Sequence, residues 1–218
     1  MILAMTAMLL PAVLLHAQSA SESKAQVRTG ALTYANGQSS QCFAAGFLET
    51  VARHTRIEVQ KEFTRVVLRE GKLHEHPFIV MSGEGAFSLS DEEKQTLRNY
   101  LQRGGFLLAS AGCSNEDWAK SFRAVLKELF PEEELTTLPM SHAVFSTIHQ
   151  IDALPGRKAN TAGKLEGLSL GGRLVVIFSA MGLNDTENAG GGCCCCGGNE
   201  LRDAHRINAN ILAYVLTH

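Results

Sequence analysis

The segment 190–200 reads GGGCCCCGGNE and sets four of the chain's six cysteines, Cys193, Cys194, Cys195 and Cys196, side by side between glycines. A thiolate is a soft ligand, suited to copper, zinc or an iron–sulfur cluster. Metal-binding cysteines are usually separated by two intervening residues, so that both sulfurs turn toward one ion. Adjacent cysteines on an extended chain point to opposite faces. Four neighbours on one ion therefore demand a tightly curled backbone, whereas two of them completed by ligands from elsewhere are easier to build. By residue type the completing ligands are Cys113 or His142, with Cys42 and His205 as further candidates. The flanking glycines supply permissive dihedrals around the run. The same sulfurs can instead form disulfides, with one another or with Cys42 and Cys113, or carry thiol–disulfide redox chemistry, or present a surface to a partner. The spacing leaves these alternatives open.

A second group of residues stands beside the run. Asn199 is a good helix N-cap, which puts Cys196 just ahead of the positive end of a helix dipole, where thiolate is favoured. Arg202 and His205 lie one turn apart on that expected helix. Glu84, in Ser82-Gly83-Glu84-Gly85, is a loop carboxylate after an apolar run and a further candidate. His74-Glu75-His76 has ligand-like types but reads as surface residues before a buried strand.

The elements that must position these residues alternate. Strands are expected at 31–35, 56–59, 65–68, 78–82, 106–110, 165–170 and 173–179, the last two as a hairpin around Gly171-Gly172. Helices are expected over 42–54, after the capping box Ser90-Asp91-Glu92-Glu93, after a cap at Ser114 as far as Pro131, and over 200–216. That order predicts one α/β domain on a mostly parallel sheet. Ligands of such sheets sit at the carboxyl ends of the strands. The loops at 82–85, 111–114 and 181–198 leave from there, so the cysteine run lies where a site is expected.

Bulk composition narrows the partners. At 218 residues, with 45% hydrophobic and 19% charged residues, the chain suits one well-buried domain over 29–218. A net charge of -2, without a basic run, argues against nucleic acid. Residues 1–20 hold about 14 apolar residues broken by Pro11, followed by small residues, the pattern of a secretory signal peptide rather than a membrane span of roughly 20. A polar linker, 21–28, follows. The expected location is periplasmic or extracellular, with membrane contact only if the segment stays uncleaved. In an oxidising compartment cysteines tend to pair.

Several blocks together are similar to a known family. His76-Pro77-Phe78-Ile79 with Ser82-Gly83-Glu84-Gly85, then Leu97-Arg98-Asn99-Tyr100-Leu101 with Gly104-Gly105-Phe106-Leu107-Leu108, resemble the bacterial family called domain of unknown function 4159. So do Phe130-Pro131 and Ser141-His142-Ala143-Val144-Phe145. The resemblance spans about residues 28–217. It implies similarity to the class I glutamine amidotransferase superfamily, hence a flavodoxin-like three-layer α/β sandwich. Where amidotransferases place a nucleophilic cysteine this chain has Ala111, and Cys113 lies two residues on. His142-Ala143-Val144 lacks the acid of a His-x-Glu pair. The resemblance thus implies the fold without amidotransferase activity. The expected protein is an exported one of an uncharacterised family, binding a thiophilic metal or cluster through the four-cysteine loop. The alternatives are a non-catalytic binding or scaffold domain with its cysteines in disulfides, and a thiol redox protein. Its partner is an unidentified protein or small molecule.

Overall fold

Two runs of consecutive apolar residues build the centre of the molecule. In the computed structural model, which describes residues 26–190, 193 and 198–218, Phe78–Gly83 and Phe106–Ala111 pair in parallel register, Phe78 beside Phe106 and Gly83 beside Ala111. A strand buried on both faces needs no polar alternation. Phe78, Val80, Phe106 and Leu108 enter one apolar cluster, and Ile79, Met81, Leu107 and Ala109 enter the other, on the opposite face.

Around this pair the strands run in chain order as β1 (Thr29–Tyr34), β2 (Gln38–Ser39), β3 (Thr64–Val67), β4 (Phe78–Gly83), β5 (Phe106–Ala111), β6 (Thr136–Thr137), β7 (Glu166–Leu170) and β8 (Arg173–Ser179). Strands β3, β1, β4, β5 and β8 are parallel neighbours in that spatial order. Strand β7 returns antiparallel to β8, β6 lies antiparallel on β7, and β2 folds back on the end of β1. The helices are α1 (Phe47–His54), α2 (Asp91–Gln102), α3 (Glu116–Leu129) and α4 (Ala204–Thr217). Leu97 of α2 and Trp118 and Phe122 of α3 cover one face of the sheet, while Phe47 of α1 and Ile207 and Ile211 of α4 cover the other. The protein is an α/β domain with a mixed, mostly parallel sheet, as the alternation predicts.

Local signals are met in part. The capping box holds: Ser90 Oγ accepts from Glu93 N at 3.2 Å, and Glu93 Oε2 accepts from Ser90 N at 2.9 Å. The buried Glu93 also accepts from Ala35 N at 2.9 Å, tying α2 to the end of β1. The hairpin turns at Gly171 and Gly172, whose φ of 56° and 83° favour glycine.

Four expectations are corrected. The first helix begins at Phe47, not at 42, because the stretch before it is spent on tertiary bonds, Ala44 N donating to Asn184 O at 2.8 Å. Residues 56–59 form no strand; Val59 makes only an isolated parallel bridge to Val27. Asn115, not Ser114, caps α3, its Oδ1 accepting from Trp118 N at 2.9 Å, while Ser114 Oγ donates to Met181 O at 2.7 Å. The last helix starts at Ala204 rather than 200. Asn199 does not cap it, since Asn199 Oδ1 accepts from Lys158 N and Thr161 Oγ1. Residues 200–202 are instead held extended: Arg157 N donates to Glu200 O, Leu201 N to Gly182 O and Arg202 N to Pro155 O.

Candidate functional site

Near the carboxyl ends of β4, β5 and β8 each strand carries a buried serine, Ser82 and Ser110 one residue before the last and Ser179 at the last. Three hydroxyls in a dry layer need partners, and Asn184 supplies them to Ser82 and Ser110. Its Nδ2 donates to Ser82 Oγ at 2.7 Å, and its Oδ1 accepts from Ser110 Oγ. Ser110 Oγ also accepts from Leu183 N at 2.7 Å, and Ser179 Oγ from Gly182 N at 3.0 Å. From below, Ser40 Oγ accepts from Ser82 N, and Asn208 of α4 donates to Leu183 O at 2.8 Å. The loop leaving β8 is thereby fixed across the tips of its neighbours.

Tyr34 and Trp118 brace the same edge. Tyr34 Oη accepts from Trp118 Nε1 at 2.6 Å and donates to Ser82 O at 3.0 Å. Burial pushes the Tyr34 hydroxyl far above the ordinary phenol range, so it stays a proton donor.

The sulfurs lie on this platform. Cys193 is joined to Cys42 in a disulfide, Cα atoms 5.5 Å apart, linking the segment after β2 to the loop between β8 and α4. Cys113, on the turn leaving β5 with a left-handed φ of 51°, is also disulfide-bonded. Its sulfur lies 3.1 Å from Glu84 Oε1. A disulfide sulfur has no proton to give, so this is a close contact rather than a thiol donating to a carboxylate. Cys194, Cys195 and Cys196 lie outside the described residues. Among the described residues, no group of three or more His, Cys, Asp and Glu side chains is arranged to hold a metal ion.

Where the loop after β8 runs toward α4 lies a cleft of about 460 Å³ whose wall includes Arg157, Asp185, Glu187, Glu200, Arg202 and Asp203. Glu200 is buried; its Oε2 accepts from Thr186 Oγ1 at 2.9 Å and Thr186 N at 3.3 Å, and its Oε1 is buried without a partner. Burial raises the Glu200 carboxyl above its usual range, against the Thr186 bonds and Arg157. Burial likewise raises Asp185, whose backbone is left-handed at φ 54° and whose oxygens accept from Asn188 Nδ2. Arg157 pairs with Glu187 and stands 4.0 Å from Glu200 Oε2. Unlike-charged groups and carboxyls poised to hold a proton can recognise a small polar ligand.

Of the residues singled out by sequence, Cys113, Cys193, Glu84, Arg202 and His205 reach this end of the sheet. Arg202 Nη2 donates to Arg157 O at 3.2 Å. His205 stands between α1 and the β8 loop, its Nε2 2.7 Å from Thr50 Oγ1 and its Nδ1 3.8 Å from Asp185 Oδ2. A hydroxyl, imidazole and carboxylate in that order resemble a hydrolytic relay, but Thr50 is only 4% exposed and is a support for the imidazole, not a nucleophile.

His142 is not brought to the site. Its ring packs on Tyr214, whose neighbours Pro77 and Gly104 mark the amino ends of β4 and β5. His76 lies at that same end, buried, with His74 beside it on the wall of a separate cleft. Ala111 is fully buried at the end of β5. Asp185, Glu200, Arg157 and Asn184 escaped the sequence reading. Asn199-Glu200 after Gly-Gly reads as a helix start, and only the pairing of 200–202 with 155–157 turns Glu200 inward.

Over residues 25–216 the sequence matches the family described as Domain of unknown function (DUF4159). The chain belongs to that family. No curated protein matches it. Within this DUF4159 domain no helix among the described residues is long and apolar enough to cross a membrane.

Proposed function

We propose that this DUF4159 domain is an exported, non-catalytic binding module of flavodoxin-like, amidotransferase-like architecture, its cysteine loop stapled by disulfides. The single observation that carries this reading is the Cys42–Cys193 bond, supported by the oxidised state of Cys113. A sulfur in a disulfide is not a thiolate donor, so Cys193 and Cys113 cannot serve a soft metal in this state. His142, at the far end of the sheet, cannot complete such a site. The apolar stretch over residues 2–15 and the disulfides agree with an oxidising compartment. Amidotransferase chemistry has no support from Ala111, which offers no nucleophile.

The binding site on this reading is the cleft of Arg157, Asp185, Glu187 and Glu200. Its ligand is a small polar molecule, with a cationic group for the carboxylates and an acceptor for the guanidinium groups. The test uses the full mature chain, purified without oxygen from an oxidising compartment, with metal analysis and thiol alkylation before and after reduction. The expected result is no alkylation at Cys42, Cys113 or Cys193 until reductant is added, and no stoichiometric metal. Free thiols with near-stoichiometric copper, zinc or iron would overturn the proposal in favour of a metal site. Free thiols without metal would overturn it in favour of thiol redox chemistry.

A further inference from the structure

Residues 143–151 fold over α4 and anchor there through one buried amide. Asn210, 1% exposed, accepts from Ile148 N at 3.1 Å and His149 N at 2.8 Å through Oδ1, and its Nδ2 donates to His149 O at 2.7 Å. Clamped in this way, His149 presents its ring edge-on to His54 at the end of α1, centroids 5.4 Å apart. His149 Nε2 is buried and has no hydrogen-bond partner. His54 Nδ1 lies 2.9 Å from Thr50 O, and since a carbonyl only accepts, that nitrogen carries the proton. The titratable and charged groups that act on His149 are Arg206 and His205 from α4 and His54 from α1, all of them bases. Asp185 acts on His205.

We propose that His149 is an acid-sensitive latch: when its Nε2 takes up a proton, the 146–151 segment is released from α1 and α4. An imidazolium must place an N–H where nothing accepts it, and must do so among three bases. Burial, followed by Arg206, His54 and His205, holds the folded His149 below the ordinary imidazole range. A released His149 titrates near the ordinary value of about 6.5. The latch is therefore fully closed above that pH and opens as pH falls through it. His205 links the latch to Asp185 on the wall of the cleft.

The experiment is amide hydrogen exchange on the full mature chain, corrected for intrinsic rates and followed at Ile148 and His149. Protection at these two amides is expected to fall as pH drops below about 6.5, by no more than about tenfold per pH unit, until His149 is protonated in the folded state as well. His149→Phe, which keeps an aromatic edge but takes no proton, should abolish the fall. Unchanged protection between about pH 7.5 and 5.5, or the same fall in His149→Phe, would overturn the proposal. Should that variant not fold, the titration of His149 in the native chain decides by nuclear magnetic resonance. A value below the ordinary range supports the latch, and a value at or above it does not.

Discussion

Cys42 and Cys193 are joined across 151 residues of chain, and their bond ties the segment after β2 to the loop that precedes α4. That loop also supplies Asn184 to the strand tips and Asp185 and Glu187 to the polar cleft, so the crosslink ties the segment after β2 to the stretch of chain that carries them. Closing so long a loop removes conformational freedom from the unfolded chain, so Cys42→Ser is expected to cost about 2–5 kcal/mol. Urea denaturation of oxidised wild type and variant measures the loss. A difference below about 0.5 kcal/mol, the size of an ordinary surface substitution, would mean that the bond constrains little.

Tyr34→Phe tests the brace beneath Ser82. The substitution leaves the Trp118 indole N–H and the Ser82 carbonyl without their shared hydroxyl, both in a dry layer. A loss of about 1–3 kcal/mol is expected, visible in chemical denaturation, with a change in Trp118 fluorescence in the native state. Unaltered stability would show that water replaces the hydroxyl at no cost.

Asn184→Ala removes the amide that joins Ser82 to Ser110 and leaves both hydroxyls one partner short. A loss of about 1–3 kcal/mol is expected. Faster exchange should concentrate at the amide of Leu183, which leans on Ser110. Uniform loss of protection across the chain would instead indicate a global effect.

Glu200 gives a pH signature opposite in sign to that of His149. Its carboxyl is held above the usual range, chiefly by burial, so the folded state keeps a proton that the unfolded chain releases near about pH 4.3. Stability from this group is full below that pH and is lost as pH rises through the raised folded value. Glu200→Gln keeps an acceptor for Thr186 and removes the titration. The difference in denaturation midpoint between variant and wild type should therefore grow in the variant's favour from acid to neutral pH. A pH-independent difference would contradict a protonated Glu200.

Much of the fold was legible because its signals are local. The apolar runs of β4 and β5, the Ser90–Glu93 box and the Gly171-Gly172 turn each announce themselves within a few residues. The misplaced elements are those whose backbone is claimed by distant partners. Residues 42–46 have helical composition but bond to Asn184, and 200–202 look like a first helical turn but pair with 155–157 and Gly182. The site was legible only by sulfur and by topology. Cys193 and Cys113 reach the expected end of the sheet, whereas His142, chosen by residue type, packs at the other end against Tyr214. Asp185 and Glu200 gain their character from burial, and burial of a loop carboxylate has no signature in spacing.

The most direct test of the account is a peptide map of the oxidised protein, digested without reductant after free thiols are blocked. One crosslinked species joining the Cys42 peptide to the peptide that carries Cys193 is expected, and it should separate on reduction. Recovery of Cys42 as a blocked free thiol would contradict it and return the cysteine run to ligand or redox chemistry.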